Sequence, residues 1–297
     1  MCSSYEAPLG VPFSEYAAKI NRSPATLEKV KGWKSKIPLI YINTKDSKER
    51  RAYVKRTFSS LFHNLIRSEG ITSAHPKVKE LMKHMPHVNP NILAVTISHL
   101  NAIKLADEVI RRTNDPTIQH AIIIEDDADP ILMPFWEKSI DSIVAGFPKG
   151  WEVVQLGATK VTAGETTPVY RRAQFPHKKG VWNQPEWGAF AYILSKRGTR
   201  KIASTDLVKL FSVCQTMTAD GCLLDFAPLK NFFFNTGRQF DFYHQYILHP
   251  PLFTVNTAAQ ATHRTSLNKM LHETVANAGR CSSFFEHIMY YNDNSLA

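Results

Sequence analysis

Cysteine is scarce in this chain of 297 residues, and long apolar stretches are missing. The cysteines, Cys2, Cys214, Cys222 and Cys281, lack the close pairing that is typical of zinc sites and redox motifs, so we expect reduced thiols. No apolar run approaches the ~18 residues of a membrane-spanning helix. The first twenty residues contain charged side chains instead of the apolar core of a secretory signal. The sequence therefore predicts a soluble, cytoplasmic protein.

Acidic residues are sparse in the first part of the chain. Up to Arg112 there are 19 Lys and Arg against 9 Asp and Glu, whereas the remainder has 17 of each. A concentrated positive field attracts phosphates, polyanions or an anionic membrane surface, although a solvated basic surface explains the excess equally well. Zinc-finger spacing and RNA-binding aromatic motifs are absent, so no nucleic-acid partner is expected. Peripheral contact with a membrane remains compatible with this charge.

Internal repeats and low-complexity segments are also absent, and strand and helix patterns alternate instead. We predict strands at 37–42, 120–124, 151–156 and 189–194, and helices at 47–68, 91–110, 133–146 and 195–204. Residues 1–36 are polar, contain three prolines, and form an N-terminal extension with one short helix from Ser23. The alternation predicts an α/β fold, with a Rossmann-like mixed sheet flanked by helices.

An acidic cluster follows the predicted strand that ends at Ile124. Four of the next five residues are carboxylates: Glu125, Asp126, Asp127 and Asp129. In an extended backbone Asp126 would face away from the other three. Clustered carboxylates repel one another unless a cation neutralises them, and oxygen ligands suit Mg²⁺ or Mn²⁺. Ligands of open α/β proteins also bind at the carboxyl ends of strands, so we predict a metal site here. The other reading is an acidic turn that caps a following helix through Asp129.

Two metal-dependent chemistries use a pair of aspartates separated by one residue after an apolar strand. In phosphoryl transfer by an aspartyl nucleophile, Thr or Val normally follows the second aspartate, and the strand opens the domain. Here Pro130 follows, and the strand is not the first. In glycosyl transfer the pair holds a cation against the diphosphate of a nucleotide sugar. The sequence favours the second chemistry.

Several segments, taken together and in order, resemble glycosyltransferase family 25, the lipopolysaccharide and procollagen galactosyltransferase-like enzymes. They are residues 40–43 (IYIN), 47–51 (SKERR), 96–103 (TISHLNAI), 121–127 (AIIIEDD), 188–195 (GAFAYILS) with Gly198, 219–220 (AD) and 249–253 (HPPLF). The resemblance spans roughly residues 37–270. Val95 and Thr96 stand where the family usually has Gly-Cys, and residues 158–187 match no segment that we can place.

The resemblance implies a single GT-A type domain over residues 37–297, with a nucleotide-sugar-binding half (37–130) and an acceptor-binding half (131–297). It implies an inverting transfer of galactose or a similar sugar from a nucleoside-diphosphate sugar, such as a UDP-sugar, to a glycan or protein-linked hydroxyl. It also implies a divalent cation, Mn²⁺ or Mg²⁺. The alternatives are a metal-dependent phosphohydrolase and a non-catalytic module that binds nucleotides or polyanions.

Within this resemblance Asp127 and Asp129 are the predicted metal ligands. His263, in a polar segment after the Pro250-Pro251 turn, is the candidate third ligand, with an ordinary surface or core histidine as the other reading. Asp126 is assigned to the sugar or ribose of the donor, or to a helix cap.

An inverting displacement also needs a carboxylate base for the acceptor hydroxyl. Asp220 is the leading candidate and matches an aspartate of the family; a helix N-cap is the other reading. Glu186 is the rival, in an aromatic-rich loop whose Trp182 and Trp187 would stack on an acceptor sugar or pack in the core.

Donor contacts are predicted at the end of the first strand, from Asn43 and Thr44, and from Arg51, which would attract the diphosphate. Ser98 and His99 carry part of the resemblance and are assigned to the donor site, with a buried, hydrogen-bonded histidine as the other reading of His99. The other nearby cations are expected to form a solvated helix face; they are Lys45, Lys48, Arg50, Lys55 and Arg56.

Overall fold

A computed structural model of the chain describes residues 28, 30, 32–86, 88–130, 138–157, 169–171, 189–204, 223, 245–248 and 252–255. The strands are β1 Leu39–Thr44, β2 Leu65–Gly70, β3 His120–Glu125, β4 Ala128–Asp129, β5 Val153–Gln155, β6 Val169–Arg171, β7 Ala191–Ser195, β8 Gln245–Leu248 and β9 Thr254–Val255. The helices are α1 Lys48–Phe58, α2 Pro76–Met82, α3 Pro90–Arg112, α4 Ile140–Ala145 and α5 Lys196–Ala203.

Seven of the described strands form one mixed sheet in the order β2-β1-β3-β7-β5-β8-β6. Strand β1 is parallel to both β2 and β3, and β7 is antiparallel to β3 and β5. β8 is parallel to β5, and β6 is antiparallel to β8. The predicted α/β class, with a mixed sheet flanked by helices, is confirmed. The division into an extension and a single domain stays a prediction.

Alternating side chains of the strands enter two separate hydrophobic cores. Ile40 and Ile123 lie on the face covered by α2, α3 and α5. Tyr41 and Ile122 lie on the opposite face, which α1 and α4 cover. β1 and β3 are buried along almost their whole length, because helices cover both faces of the sheet.

The helix starts follow local sequence signals. In α3 the Asn89 side chain accepts a hydrogen bond from the backbone N–H of Asn91, and Pro90 occupies the first turn. Ser195 caps α5 in the same way through Gly198. Arg111 and Arg112 lie in the last turn of α3, where cations are favourable. The predictions at 91–110 and 195–204 are therefore confirmed to within two residues.

The predicted helix over 47–68 is wrong in its second half. α1 ends at Phe58, and Leu65 begins strand β2, which pairs in parallel with β1. Leu61 and Phe62 had continued the apolar stripe of the helix, but they pack into the core from the connection between α1 and β2. Pairing with β1 overrides the helical periodicity of the isolated segment.

The chain order places a topological switch point between β1 and β3. From β1 the chain passes through α1 to β2 on one side, and β3 later joins β1 on its other side. In open α/β sheets, ligands bind in the crevice outside the carboxyl ends of the strands at such a point. The ends of β1 and β3 are therefore the first place to look for a binding site.

A second, two-stranded sheet begins two residues after β3. Ala128 and Asp129 of β4 pair with Val255 and Thr254 of β9. The backbone N–H of Leu252 donates to the carbonyl of Leu156, which holds this late segment over the carboxyl-end edge. Among the helices that the structure describes, none has both the length and the apolarity needed to cross a membrane.

Candidate functional site

The acidic cluster lies in a turn at the carboxyl end of β3. The strand ends at Glu125, the chain turns at Asp126 and Asp127, and β4 begins at Ala128. The expectation that Asp126 and Asp127 face opposite ways is wrong, because the backbone is not extended there. Both carboxylates face the guanidinium of Arg50, at 2.9 Å from Asp126 Oδ1 and 3.7 Å from Asp127 Oδ2.

Asp126 joins the ends of β1 and β3 across the switch point. Its Oδ2 accepts a hydrogen bond of 2.7 Å from the side-chain amide of Asn43, the penultimate residue of β1. The Asn43 amide also donates to the carbonyl of Ser47, at the start of α1. Asp126 and Asn43 are both buried. The strand ends are therefore linked by a charged hydrogen bond, which is stronger than a neutral one.

Arg50 is the cation that sequence reasoning missed as an individual residue. Burial of its guanidinium lowers the pKa of Arg50. The hydrogen bond and charge of Asp126, with the charges of Asp127 and Glu125, outweigh burial and raise this pKa above its ordinary value. Arg50 lies in the first turn of α1, where the helix dipole disfavours a positive charge. The carboxylates of the acidic turn therefore hold it there.

Arg51, the cation predicted to attract a diphosphate, binds the end of β1. Its Nε donates to Asn43 Oδ1 at 2.9 Å, and its terminal nitrogen donates to the backbone carbonyls of Thr44 and Lys45. Arg67 of β2 approaches from the other side and donates to Asn43 Oδ1 and to the Asn43 carbonyl. Two guanidinium groups thus fix the amide that holds Asp126.

These cations also affect a neighbouring tyrosine of β1. Burial raises the pKa of the Tyr41 hydroxyl above its ordinary value, and the charges of Arg67 and Arg51 act in the opposite direction.

At the end of the strand, the hydroxyl of Thr44 shares a hydrogen bond of 2.8 Å with that of Ser47. The predicted donor residues Asn43, Thr44 and Arg51 are therefore brought together at the carboxyl end of β1.

Ser98 and His99 lie in the buried part of α3, behind the acidic turn. The Ser98 hydroxyl donates to the Ala94 carbonyl and accepts from the backbone N–H of Ile71. His99 Nδ1 lies 3.0 Å from the Tyr192 hydroxyl, and Nε2 lies 3.2 Å from Glu125 Oε1. The structure thus gives His99 the buried, hydrogen-bonded setting of its second reading. Direct donor contacts of the two side chains stay a prediction.

Asp127 and Asp129, the predicted metal ligands, flank Ala128. Asp127 is buried and Asp129 is half-buried. Within the described residues there is no group of three His, Cys, Asp or Glu side chains that could hold a metal ion. Two carboxylates nevertheless suit Mg²⁺ or Mn²⁺, which commonly takes one or two carboxylates and completes its shell with phosphates and water. The carboxylate oxygens are therefore of the type that a hard divalent cation prefers, and a metal at this turn stays a prediction.

The predicted third ligand, His263, lies outside the described residues. Strand β9 does, however, bring a late part of the chain to the acidic turn, because Thr254 pairs with Asp129. The remaining predicted residues also lie outside the described part of the chain: the candidate bases Asp220 and Glu186, the acceptor tryptophans Trp182 and Trp187, and the four cysteines. Their roles stay predictions.

Comparison with known proteins gives likenesses only among solved structures. No family model matches the chain, and no curated protein matches it. Among solved structures, the apo form of mouse xyloside xylosyltransferase 1 is similar, with a TM-score of 0.26 and 12% sequence identity. The likeness covers 65% of this chain and 64% of that one. A likeness at this level does not determine a function.

Proposed function

We propose that this chain is an inverting, metal-dependent glycosyltransferase that uses a nucleoside-diphosphate sugar, as the resemblance to family 25 implies. The observation that carries the proposal is the hydrogen bond between Asn43 and Asp126, which joins β1 and β3 at the topological switch point beside Arg50. A cation, a carboxylate turn and a polar strand end meet where α/β sheets bind ligands. Together they suit a ligand with a polar sugar and an anionic diphosphate.

The end of β1 provides the positive side of this site. Arg51 and Arg67 converge on Asn43, and α1 begins at Lys48 after a three-residue turn that follows Thr44. The amino end of a helix favours negative charge, and guanidinium groups bind phosphate oxygens in pairs. A nucleoside diphosphate placed over the end of β1 would meet these groups, with Asn43 and Thr44 beside its base and ribose.

The acidic turn provides the negative side. Asp127 and Asp129 would hold Mn²⁺ or Mg²⁺, and Asp126, fixed by Asn43, would contact the sugar or ribose. When bound, the cation would neutralise charge on the departing diphosphate. In one metal–diphosphate ligand, the carboxylates would therefore bind the metal and the guanidinium groups would bind the diphosphate.

The acceptor side of the reaction rests on residues beyond the described part of the chain. In an inverting transfer, the acceptor oxygen attacks the anomeric carbon, the bond to the diphosphate breaks, and a carboxylate receives the hydroxyl proton. Asp220 is the proposed base, Glu186 its rival, and Trp182 and Trp187 are the proposed acceptor contacts. In an Asp220→Asn variant we expect unchanged donor affinity and loss of transfer. Equal loss of both would make Asp220 a donor or structural residue.

Thermal-shift screening of nucleotide sugars, beginning with UDP-galactose, tests the proposal directly. A ligand at 100 times its Kd stabilises the native state by about 2.7 kcal/mol. A chain of this size should then melt roughly 4 °C higher. We expect this shift only when Mn²⁺ and the nucleotide sugar are both present. Chelation of the metal should abolish it.

Activity and binding assays distinguish the alternatives. A phosphohydrolase would release inorganic phosphate from a simple phosphoester without a sugar acceptor. A non-catalytic polyanion-binding module would bind nucleic acid with a steep salt dependence and show no preference for nucleotide sugars. Sugar transfer that continues in excess chelator would contradict the metal assignment.

A further inference from the structure

Arg50 lies beside Asp127, one of the two carboxylates that are proposed to bind a divalent cation. Its guanidinium lies 2.9 Å from Asp126 and 3.7 Å from Asp127, and its side chain remains 33% exposed. This guanidinium would repel a divalent cation on Asp127, and the repulsion is strong because the carboxylate is buried. The contact between Arg50 and Asp127 and a metal bound to Asp127 therefore weaken each other.

The two carboxylates would respond differently to the departure of Arg50. Asp126 would keep the 2.7 Å hydrogen bond from Asn43, which Arg51 and Arg67 hold in place. Asp127 has its longer, 3.7 Å contact with Arg50 and lies next to β4. Departure of the guanidinium would thus leave Asp126 with its hydrogen bond from Asn43 and remove one positive charge from beside Asp127.

From its position, the guanidinium of Arg50 could also reach a diphosphate bound over the end of β1. Arg50 lies in the first turn of α1, on the same element as Arg51 and one short turn after the end of β1. A diphosphate over this strand end would lie within the reach of a long arginine side chain anchored there. Phosphate oxygens accept paired hydrogen bonds from a guanidinium as well as carboxylates do.

We propose that Arg50 is an internal counter-ion, which neutralises the acidic turn in the unliganded chain and passes to the donor diphosphate when the metal binds. This inference rests on the proposed function and adds a specific positioning residue to it. Metal alone would bind against the positive charge of Arg50, whereas a donor diphosphate would give the guanidinium a phosphate partner. Metal and nucleotide therefore strengthen each other's binding, by reciprocal linkage.

The test is Arg50→Gln, with Mn²⁺ alone and with UDP as probes. Mn²⁺ affinity is read from the electron paramagnetic resonance signal of the free ion, and UDP affinity is read by calorimetry at saturating Mn²⁺. We expect Arg50→Gln to bind Mn²⁺ alone about tenfold more tightly and UDP about tenfold more weakly, within the usual range of coupling between sites. Arg56→Gln, the same exchange at an exposed position of α1, is the matched control and should change neither affinity.

The opposite signs separate this role from a structural one. If Arg50 only maintains the turn, Arg50→Gln should weaken both ligands, and an unchanged Mn²⁺ affinity would also overturn the inference. Arg50→Lys, which keeps the charge but loses the planar fork, serves if the Gln variant unfolds. It should bind Mn²⁺ like the wild-type chain and UDP more weakly, whereas equal weakening of both ligands would again overturn the inference. A wild-type chain that binds neither Mn²⁺ nor UDP would instead contradict the proposed function.

Discussion

Two buried ion-pair sites lie at opposite edges of the same sheet, and the ratio of cations to carboxylates differs between them. At the amino-end edge, fully buried Glu152 accepts contacts of 2.7 Å from both Arg197 and Lys201 of α5. At the carboxyl-end edge, four carboxylates lie within five residues, and the guanidinium of Arg50 contacts both Asp126 and Asp127. One carboxylate thus has two cations at the first site, whereas two carboxylates share one guanidinium at the second.

This difference distinguishes a structural ion pair from the proposed binding site. The cations beside Glu152 come from one helix and fix that helix to the sheet. The groups around Asp126 come from β1 and α1, which meet β3 at the switch point. A buried ion pair alone is therefore a poor guide to function. Its position on the sheet and its charge balance are better guides.

Replacement of a predicted metal ligand should have the largest effect. We expect Asp127→Asn, and likewise Asp129→Asn, to lower sugar transfer at least about 100-fold, since loss of electrostatic stabilisation at a reacting group typically costs that much. The melting temperature should stay within a few degrees of the wild-type value. Asp115→Asn is the matched control, because this partly exposed aspartate precedes β3 at the other edge. Equal loss in the control would contradict the assignment.

Replacement of Glu152 should affect the stability of the fold instead of ligand binding. Removal of one partner from a buried ion pair costs up to 3–5 kcal/mol; because Arg197 is 65% exposed and Lys201 27% exposed, we expect about 2 kcal/mol for Glu152→Gln. Urea unfolding measures the loss. The control Glu108→Gln breaks an exposed pair with Arg112 and should cost less than about 0.5 kcal/mol. Changed Mn²⁺ affinity in Glu152→Gln would erase the distinction between the two edges.

Close packing of α5 against the sheet gives a sharper version of this prediction. A Cβ added to Gly198 would lie 2.3 Å from the backbone oxygen of Glu152, so the helix would have to move. We expect Gly198→Ala to lower the free energy of unfolding by about 1–2 kcal/mol, since overpacking outweighs the better helix propensity of alanine. Gly146→Ala, whose nearest neighbour is at 3.4 Å, should be nearly neutral. Equal effects in the two variants would show that α5 can move away from the Glu152 backbone without loss of stability.

The smallest effect should come from acidification at the amino-end edge. Burial lowers the pKa of His120, and the charge of Asp141 opposes this shift. Because the folded-state pKa lies below the ordinary value, the stabilising contribution is complete above about pH 6.5 and is lost as the pH falls through the folded-state pKa. Urea unfolding at pH 7.5 and 5.5 should show a steeper loss in the wild-type chain than in His120→Gln. Parallel pH profiles would contradict this role.

The central elements of the fold could be predicted because their signals are local and continuous. Ile122, Ile123 and Ile124 form an uninterrupted apolar run, which is typical of a strand covered on both faces. Asn89 and Pro90 mark the start of α3 directly in the sequence. Strand β2 gave no such signal, because its polar residues follow an apolar stripe of helical period, and its pairing with β1 is a long-range contact.

The location of the candidate site could be predicted from the sequence, but the contacts between its side chains could not. The acidic cluster after β3 and the polar end of β1 were both evident in the sequence, and the structure brings them together through Asn43 and Asp126. Arg50 and Arg51 are adjacent, however, and successive residues point about 100° apart on a helix. Only the geometry of the turn between β1 and α1 decides that Arg50 faces the acidic turn and Arg51 faces Asn43.

The short two-stranded sheet of β4 and β9 has a consequence for the order in which parts of the chain fold. It ties Asp129 to Thr254, about 125 residues further along the chain, and contacts of such high sequence separation close late in folding. The parallel strands β1, β2 and β3 can assemble from the first 125 residues, long before that segment docks. A growing polypeptide would therefore form the β1 and β3 part of the candidate site before the distal segment that pairs with Asp129 arrives.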